Sequence, residues 1–370
     1  MSRSLPDEVG RFFEKGHSAS TAVRPQRGTI HPTLKQGPPE PRILDVLSEV
    51  LAICRSERAV TARFSLGTPW GLHSDGVPGA MIRLSRGAPY WLRLDGGAPV
   101  RVESGDLVMM PLGAAHTMSS SPDAPVEPFS ALIARHADGP KDENPLVFSH
   151  GGGGETTEVF SALLWFSAYC RHSVFRMLPP LIHIRESDMP MAGCLATTMQ
   201  SLIMETLDRR PGWRLSAGRM GELLLVNILR ERLGRQAAQD PGWLRGLTDP
   251  AIARAIMGIH RAPQAAWSVE QLASEAAMSR SRFCARFKTL VGETPIGYLT
   301  AHRMALAAEQ LEAGALHPAH IAEQAGYESE KVFARAFRRW SGLTPSAYLR
   351  RERERRSRML EIQAREAGEV

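Results

Sequence analysis

No run of apolar residues reaches the roughly 18 needed for a membrane-spanning helix. The opening MSRSLPDEVGRFFEKG lacks the apolar core of a secretory leader, so cytoplasmic residence and no membrane partner are the expectations. Cysteine is scarce. Cys54, Cys170, Cys194 and Cys284 are scattered with no CxxC spacing, which argues against a disulfide scaffold or zinc ribbon and for reduced thiols. Excess charge is also scarce over most of the chain. Residues 241–370 hold 19 Lys and Arg against 14 Asp and Glu, a net of +5 of the total +6, so residues 1–240 are nearly neutral.

What remains is an ordinary globular composition, 43% hydrophobic and 23% charged over 370 residues, enough for two or three domains with their own cores. Residues 1–41 are rich in Pro, Gly and Ser and read as a flexible tail. ILDVLSEVLAIC has apolar residues at helical spacing. Between 60 and 135 the pattern changes to short alternating stretches (AVTARFSL, GAMIRLS, YWLRL, VRVE, DLVMMP) broken by Gly, Pro and Asp, the grammar of a sandwich or small barrel. VFSALLWFSA adds a buried strand, and LPPLIHI closes a β-rich region spanning 42–186. Two amphipathic helices follow at about 190–209 and 214–234, a segment (187–236) read as a linker or dimerisation element. The apolar stripe of the second, with Met220, Leu223, Leu224 and Ile228, must be covered by the β-domain or by a second copy of the chain. A polar linker precedes a helical region at 245–355, and 356–370 is a charged tail.

The helical region contains two copies of one unit. FCARFKTLVGETPIGYL (283–299) and FARAFRRWSGLTPSAYL (333–349) share seven residues at an offset of 50: Phe283/Phe333, Phe287/Phe337, Gly292/Gly342, Thr294/Thr344, Pro295/Pro345, Tyr298/Tyr348 and Leu299/Leu349. Ser268 followed by Gln271 has capping-box spacing and starts a supporting helix. A turn at Met278-Ser279 leads to a second helix whose Phe283 and Phe287 point inward at i, i+4. This is helix-turn-helix grammar. The outward face of the first unit carries Arg280, Ser281, Arg282, Cys284, Ala285, Arg286 and Lys288. That of the second carries Glu330, Lys331, Ala334, Arg335 and Arg338. Lys and Arg there can neutralise phosphates, and Arg335 can pair bidentately with a guanine edge. Double-stranded DNA is therefore the expected partner, with a helical protein–protein module as the competing reading.

The first-unit FxxRFKxxxGxTPxxYLxxxR and second-unit IAxxAGYxSxxxFxRAFRRxxGxTPxxY resemble the DNA-binding domain of the AraC family of bacterial transcription regulators. The resemblance covers about residues 245–355. It departs at Ala285, where the family often carries Arg, so the second unit is expected to read bases more than the first. GDLVMMPLGAAH (105–116) has the spacing of the second cupin motif, and 42–186 resembles the cupin-like sensor domain of a subgroup of that family. The implied fold is α+β: a cupin-like barrel, a helical linker, and an all-α domain with two helix-turn-helix units. The first cupin motif is missing, since AMIRLSRGAPYWLRL has no HxH and no suitable carboxylate. His73 and His116 alone make a poor metal site, so neither a metal nor another cofactor is expected. The alternative of a cupin-fold metal enzyme fused to a DNA-binding domain is the weaker reading, because no acid/base pair is visible. The expected effector is a small molecule or an oxidant. Trp70, His73 and His116 are pocket candidates, and Cys54, Cys170 and Cys194 are redox candidates. A homodimer and contact with RNA polymerase complete the expected partners.

Overall fold

The computed structural model describes residues 45–77, 79–136, 146–188, 192–208, 210–235, 242–314 and 316–354. The segments read as tails, 1–41 and 356–370, lie outside the described residues. The architecture is α+β, with a β-rich N-terminal region and a helical C-terminal one.

A short helix α1 (Val46–Leu51) is capped by Asp45, whose carboxylate accepts from the Ser48 N–H. Eleven strands then form two sheets: β1 (Ser56–Gly67), β2 (Gly71–Ser74), β3 (Ala80–Gly87), β4 (Tyr90–Leu94), β5 (Val100–Val102), β6 (Leu107–Met110), β7 (His116–Ser119), β8 (Glu127–Pro128), β9 (Leu146–Gly151), β10 (Thr156–Phe166) and β11 (Ile182–Ile184). One sheet has the order β11-β6-β3-β10-β1-β9 and the other β5-β4-β7-β2-β8. Helix α2 (Phe129–His136) interrupts the strands. VFSALLWFSA forms a strand as expected, and its place is internal to the sheet: β10 pairs with both β1 and β3. LPPLIHI closes the larger sheet through β11 on β6.

Strand β3 departs from the half-buried alternation expected of GAMIRLS. Its first six residues are all buried, because both faces of the larger sheet are covered. Met81 belongs to the apolar cluster between the sheets, with Phe64, Leu72, Leu92, Val108 and Met118. Ile82 and Leu84 belong to a second cluster on the opposite face, formed with the helices.

Those helices are α3 (Ala192–Asp208) and α4 (Trp213–Arg235). Their apolar residues decide between the two covers that the sequence left open. Leu224 and Ile228 are fully buried within their own chain, in the cluster containing Leu164 of β10. The stripe is covered by the sheet, and these two residues are not available as a dimer seam. Leu223, by contrast, is exposed, as are Leu207 and Leu215.

The helical region comprises α5 (Trp243–Leu247), α6 (Pro250–Arg261), α7 (Val269–Glu275), α8 (Arg280–Val291), α9 (Pro295–Ala313), α10 (Pro318–Gln324) and α11 (Glu330–Ser341), with residues 345–354 helical after it. Ser268 and Gln271 form the expected capping box at the start of α7.

Candidate nucleic-acid interface and sensor core

The repeated Gly-x-Thr-Pro has a local cause. Gly292 and Gly342 stop α8 and α11 with φ of 92° and 79°, a left-handed conformation that a side chain resists. Two residues on, Thr294 accepts from the Gly297 N–H and Thr344 from the Ala347 N–H, each starting the next helix, with Pro in its first turn. The aromatic frame also repeats. Phe283 and Phe287 stand 5.6 Å apart, and so do Phe333 and Phe337. Phe287 meets Tyr298 at 5.8 Å, and Phe337 meets Tyr348 at 5.3 Å. All four phenylalanines are fully buried.

Burial of those rings turns the opposite faces outward. Arg280, Ser281, Arg282, Ala285, Arg286 and Lys288 are exposed on α8, with Cys284 half-buried beside them. On α11, Glu330, Lys331, Arg335 and Arg338 are exposed and Ala334 is half-buried. The two faces differ electrostatically. Arg286 forms an ion pair with Asp249, the N-cap of α6, and Arg280 pairs with Glu270 at 3.1 Å. Against the opposing effect of burial, the Ile252 N–H and the Arg286 guanidinium hold the Asp249 carboxyl below its usual range. Among the described residues, Lys331, Arg335 and Arg338 pair with no carboxylate. The second helix thus presents three uncommitted cations, while two of the first helix's are held by neighbours.

The sensor candidates separate. His116 is 1% exposed and points between the sheets. Its Nε2 accepts from Arg83 Nη1 at 2.7 Å, while Nδ1 donates to the Ala114 carbonyl at 2.7 Å. Burial, reinforced by the Arg83 charge, pushes its pKa down to about 3. The neighbouring strand pairs Ser74, not His73, with His116. His73 therefore lies on the opposite face of that sheet, where it bonds Thr117 and Asp75. The two histidines cannot share an ion. A guanidinium already occupies the only unprotonated nitrogen of His116 and repels a cation, so these residues do not fit a metal. Trp70 is buried beside Tyr90, their rings 5.8 Å apart. Cys54 and Cys170 are buried, and Cys194 is exposed on α3. Burial, then contact with the Cys54 thiol, pushes the Cys170 thiol well up, which leaves it protonated and unreactive.

Known proteins divide along the same lines. A cupin family profile matches residues 45–234, more than half of the chain, and a helix-turn-helix domain profile matches 272–351. A putative AraC-like transcription regulator of Streptomyces lividans is 31% identical over 307 residues, covering 82% of this chain and 98% of its own. The chain belongs to the AraC family of transcription regulators. The HTH-type transcriptional regulator AlkR of Acinetobacter baylyi is 30% identical over 258 residues, covering 69% of this chain and 82% of its own. The DNA-binding domain of AdpA, solved with a target DNA, is 31% identical and covers 30% of this chain and 97% of that one, with a TM-score of 0.28. This AraC-family chain is a DNA-binding transcription regulator with a cupin domain. Its relatives are regulators and not enzymes. Among its described residues no helix is long and apolar enough to cross a membrane.

A feature of the regulator that sequence reasoning missed joins its cupin and helical regions. After β10 the chain turns through a π-helix (Cys170–Val174) and packs on α9. The Tyr169 N–H donates to Glu309 at 2.8 Å, and its hydroxyl lies 3.3 Å from His260 Nδ1 and 3.4 Å from His302 Nδ1. Arg171 Nη2 donates to both Glu312 oxygens, at 2.9 and 3.0 Å. The Tyr348 hydroxyl donates to Glu312 at 2.7 Å and accepts from His172 Nε2 at 3.0 Å. Ala168 enters the core of the second helix-turn-helix unit beside Phe333 and Phe337. A polar cluster of this kind leaves no periodic trace, because its members come from stretches far apart in sequence: the turn after β10, α6, α9 and the helix at 345–354.

Proposed function

We propose that the regulator reads promoter DNA chiefly through α11, with Arg335 at a base edge and Lys331 and Arg338 on phosphates, while α8 serves mainly as a phosphate-contacting element. The observation that carries this reading is the electrostatic difference between two helices of one design. Arg335 is exposed and unpaired among the described residues, whereas the matching position on α8 is Ala285. Of the α8 cations, Arg282 and Lys288 remain for phosphates, since Arg286 is held by Asp249. Gel-shift titration of the cognate promoter, located first by genome-wide mapping of bound DNA, tests this. Substituting Arg335 must weaken specific binding far more than non-specific binding.

The cupin domain then serves as the sensor of a small molecule, which shifts the population of DNA-binding orientations. Its two-sheet core with enclosed polar groups supports this reading over an enzymatic one. The oxidant alternative rests on Cys194, the exposed thiol, more than on buried Cys54 and Cys170. A homodimer, if it forms through this region, has to use the outer side of α3 and α4, where Leu207, Leu215 and Leu223 are exposed.

A further inference from the structure

Strand β3 carries Arg83 into the space between the two sheets, where 3% of it is exposed. A charge taken that far from water is ordinarily matched by an opposite one. Arg83 has none among the described residues. Its hydrogen bonds all come from Nη1, to His116 Nε2 at 2.7 Å and to the Met118 sulfur at 2.8 Å. Both acceptors are neutral. The enclosed Nε meets no acceptor among the described residues.

The buried carboxylate of this region does not help. Asp106 is committed to the N–H groups of Glu103 and Glu186, each at 3.0 Å, and to His183 Nε2 at 2.7 Å. Burial alone pulls the Arg83 pKa down to about 10, still far above neutrality, so the guanidinium remains charged. Two more donors in the same core lack partners among the described residues: Trp70 Nε1 and the Tyr90 hydroxyl, which lies near Ser85 without bonding geometry. Around them stand Met81, Met110, Met118, Leu72 and Leu92.

We propose that the cupin barrel binds an organic anion whose carboxylate seats on Arg83, with Trp70 and Tyr90 as further donors and the methionine-lined core around its apolar body. The inference deepens the sensor reading above and rests on it for its biological sense. One guanidinium and neutral donors suit a single negative charge, whereas a dianionic phosphate would need a second cation. Methionine side chains are flexible enough to yield to the body of a ligand. Cations are repelled, which agrees with the poor fit to a metal.

The test is thermal unfolding of the full chain at constant ionic strength, titrated with sodium acetate, butyrate, hexanoate and benzoate, with benzamide, sodium phosphate and sodium chloride as contrasts. At least one carboxylate should raise the wild-type midpoint and saturate, while benzamide, phosphate and chloride do not. Arg83→Met should abolish that rise and, without ligand, unfold at or above the wild-type temperature, because it removes an unmatched charge. Arg83→Lys should keep the response, and so guards against a failure of Arg83→Met to fold. No response to any of the carboxylates, an equal response to benzamide or phosphate, or a response that survives in Arg83→Met overturns the proposal. An Arg83-dependent carboxylate response that leaves promoter affinity unchanged would instead sink the sensor reading while the site stands.

Discussion

Replacing Arg171 with Leu probes whether the cupin and helical regions are docked in solution as the structure describes. The Arg171 side chain is 17% exposed and that of Glu312 6%, so the pair sits largely out of water. Arg171 spans both carboxylate oxygens, and the Tyr348 hydroxyl donates to one of them. Removing the guanidinium leaves a buried carboxylate without its cation, a change that costs about 3–5 kcal/mol. The residual exposure of Arg171 moderates the loss, while the Glu352 carboxylate, 3.9 Å from Arg171, loses the same cation and adds to it. Replacing both partners, Arg171→Leu with Glu312→Leu, removes the Glu312 charge but keeps that of Glu352, and should recover part of that loss. Urea denaturation followed by circular dichroism and by tryptophan fluorescence reads all three variants. The reasoning fails if Arg171→Leu costs under about 1 kcal/mol and the double variant is merely additive, which would mean that the pair is open to water.

Four further outcomes follow from the same geometry. Arg335→Ala should weaken specific promoter binding by about 1–3 kcal/mol, and Lys331→Ala should weaken all sequences alike and lower the salt slope by about 1; gel shifts over a salt series read both, and unchanged affinity in Arg335→Ala would rule out the base contact. Leu224→Glu should yield aggregated or unfolded protein and not a folded monomer, because the residue is fully buried in its own chain; size exclusion with circular dichroism separates these, and a folded monomer would restore the dimer-seam reading. Burial pushes His302 down to about 3 and His260 well below its usual value, as burial and Arg83 do for His116. Each then binds a proton unfolded but not folded as pH falls below ~6.5, so stability should fall by up to about 1.4 kcal/mol per pH unit per histidine, down to about pH 3 for His302 and His116. Urea midpoints flat from pH 7 to 5 would contradict that assignment. Iodoacetamide should label Cys194 in the native state far faster than Cys170, as mass spectrometry of the folded protein can show.

The parts of this fold that sequence reveals are those written in local chemistry. The two Phe pairs, the left-handed Gly292 and Gly342, and the Thr-Pro helix starts recur at fixed offsets because each performs one backbone task. The strands around DLVMMP and VFSALLWFSA were legible through their turn residues and apolar runs. The cover of Leu224 was not, because an apolar stripe states that it is buried and not by what. Arg83 was invisible for a different reason. On a sheet with both faces covered, alternation no longer separates inside from outside, so an arginine in GAMIRLS reads as an ordinary surface residue. The separation of His73 from His116 needed the pairing register, which shifts by one residue with no sign in the sequence.

The position of Arg83 also bears on how a signal could leave the barrel. Arg83 pairs with Ser161 on β10, and the chain continues from that strand straight into Ala168, Tyr169 and Arg171. Those three hold α9 and the second helix-turn-helix core, so the distance from the guanidinium to the DNA-reading half is one strand and one turn. Contiguity alone does not transmit anything; transmission requires an element with two arrangements. The segment in which that would require a shift is the π-helix at Cys170–Val174, which links β10 to the contacts with α9. Such a shift would carry Arg171 off Glu312 and Tyr169 away from the His260–His302 pair together. It would thereby release α9, the helix that fixes the spacing between α8 and α11. On the reading proposed above, such a regulator would be sensitive to that spacing above all, since base contacts by Arg335 and phosphate contacts from α8 could be made at once only when the two helices keep their separation.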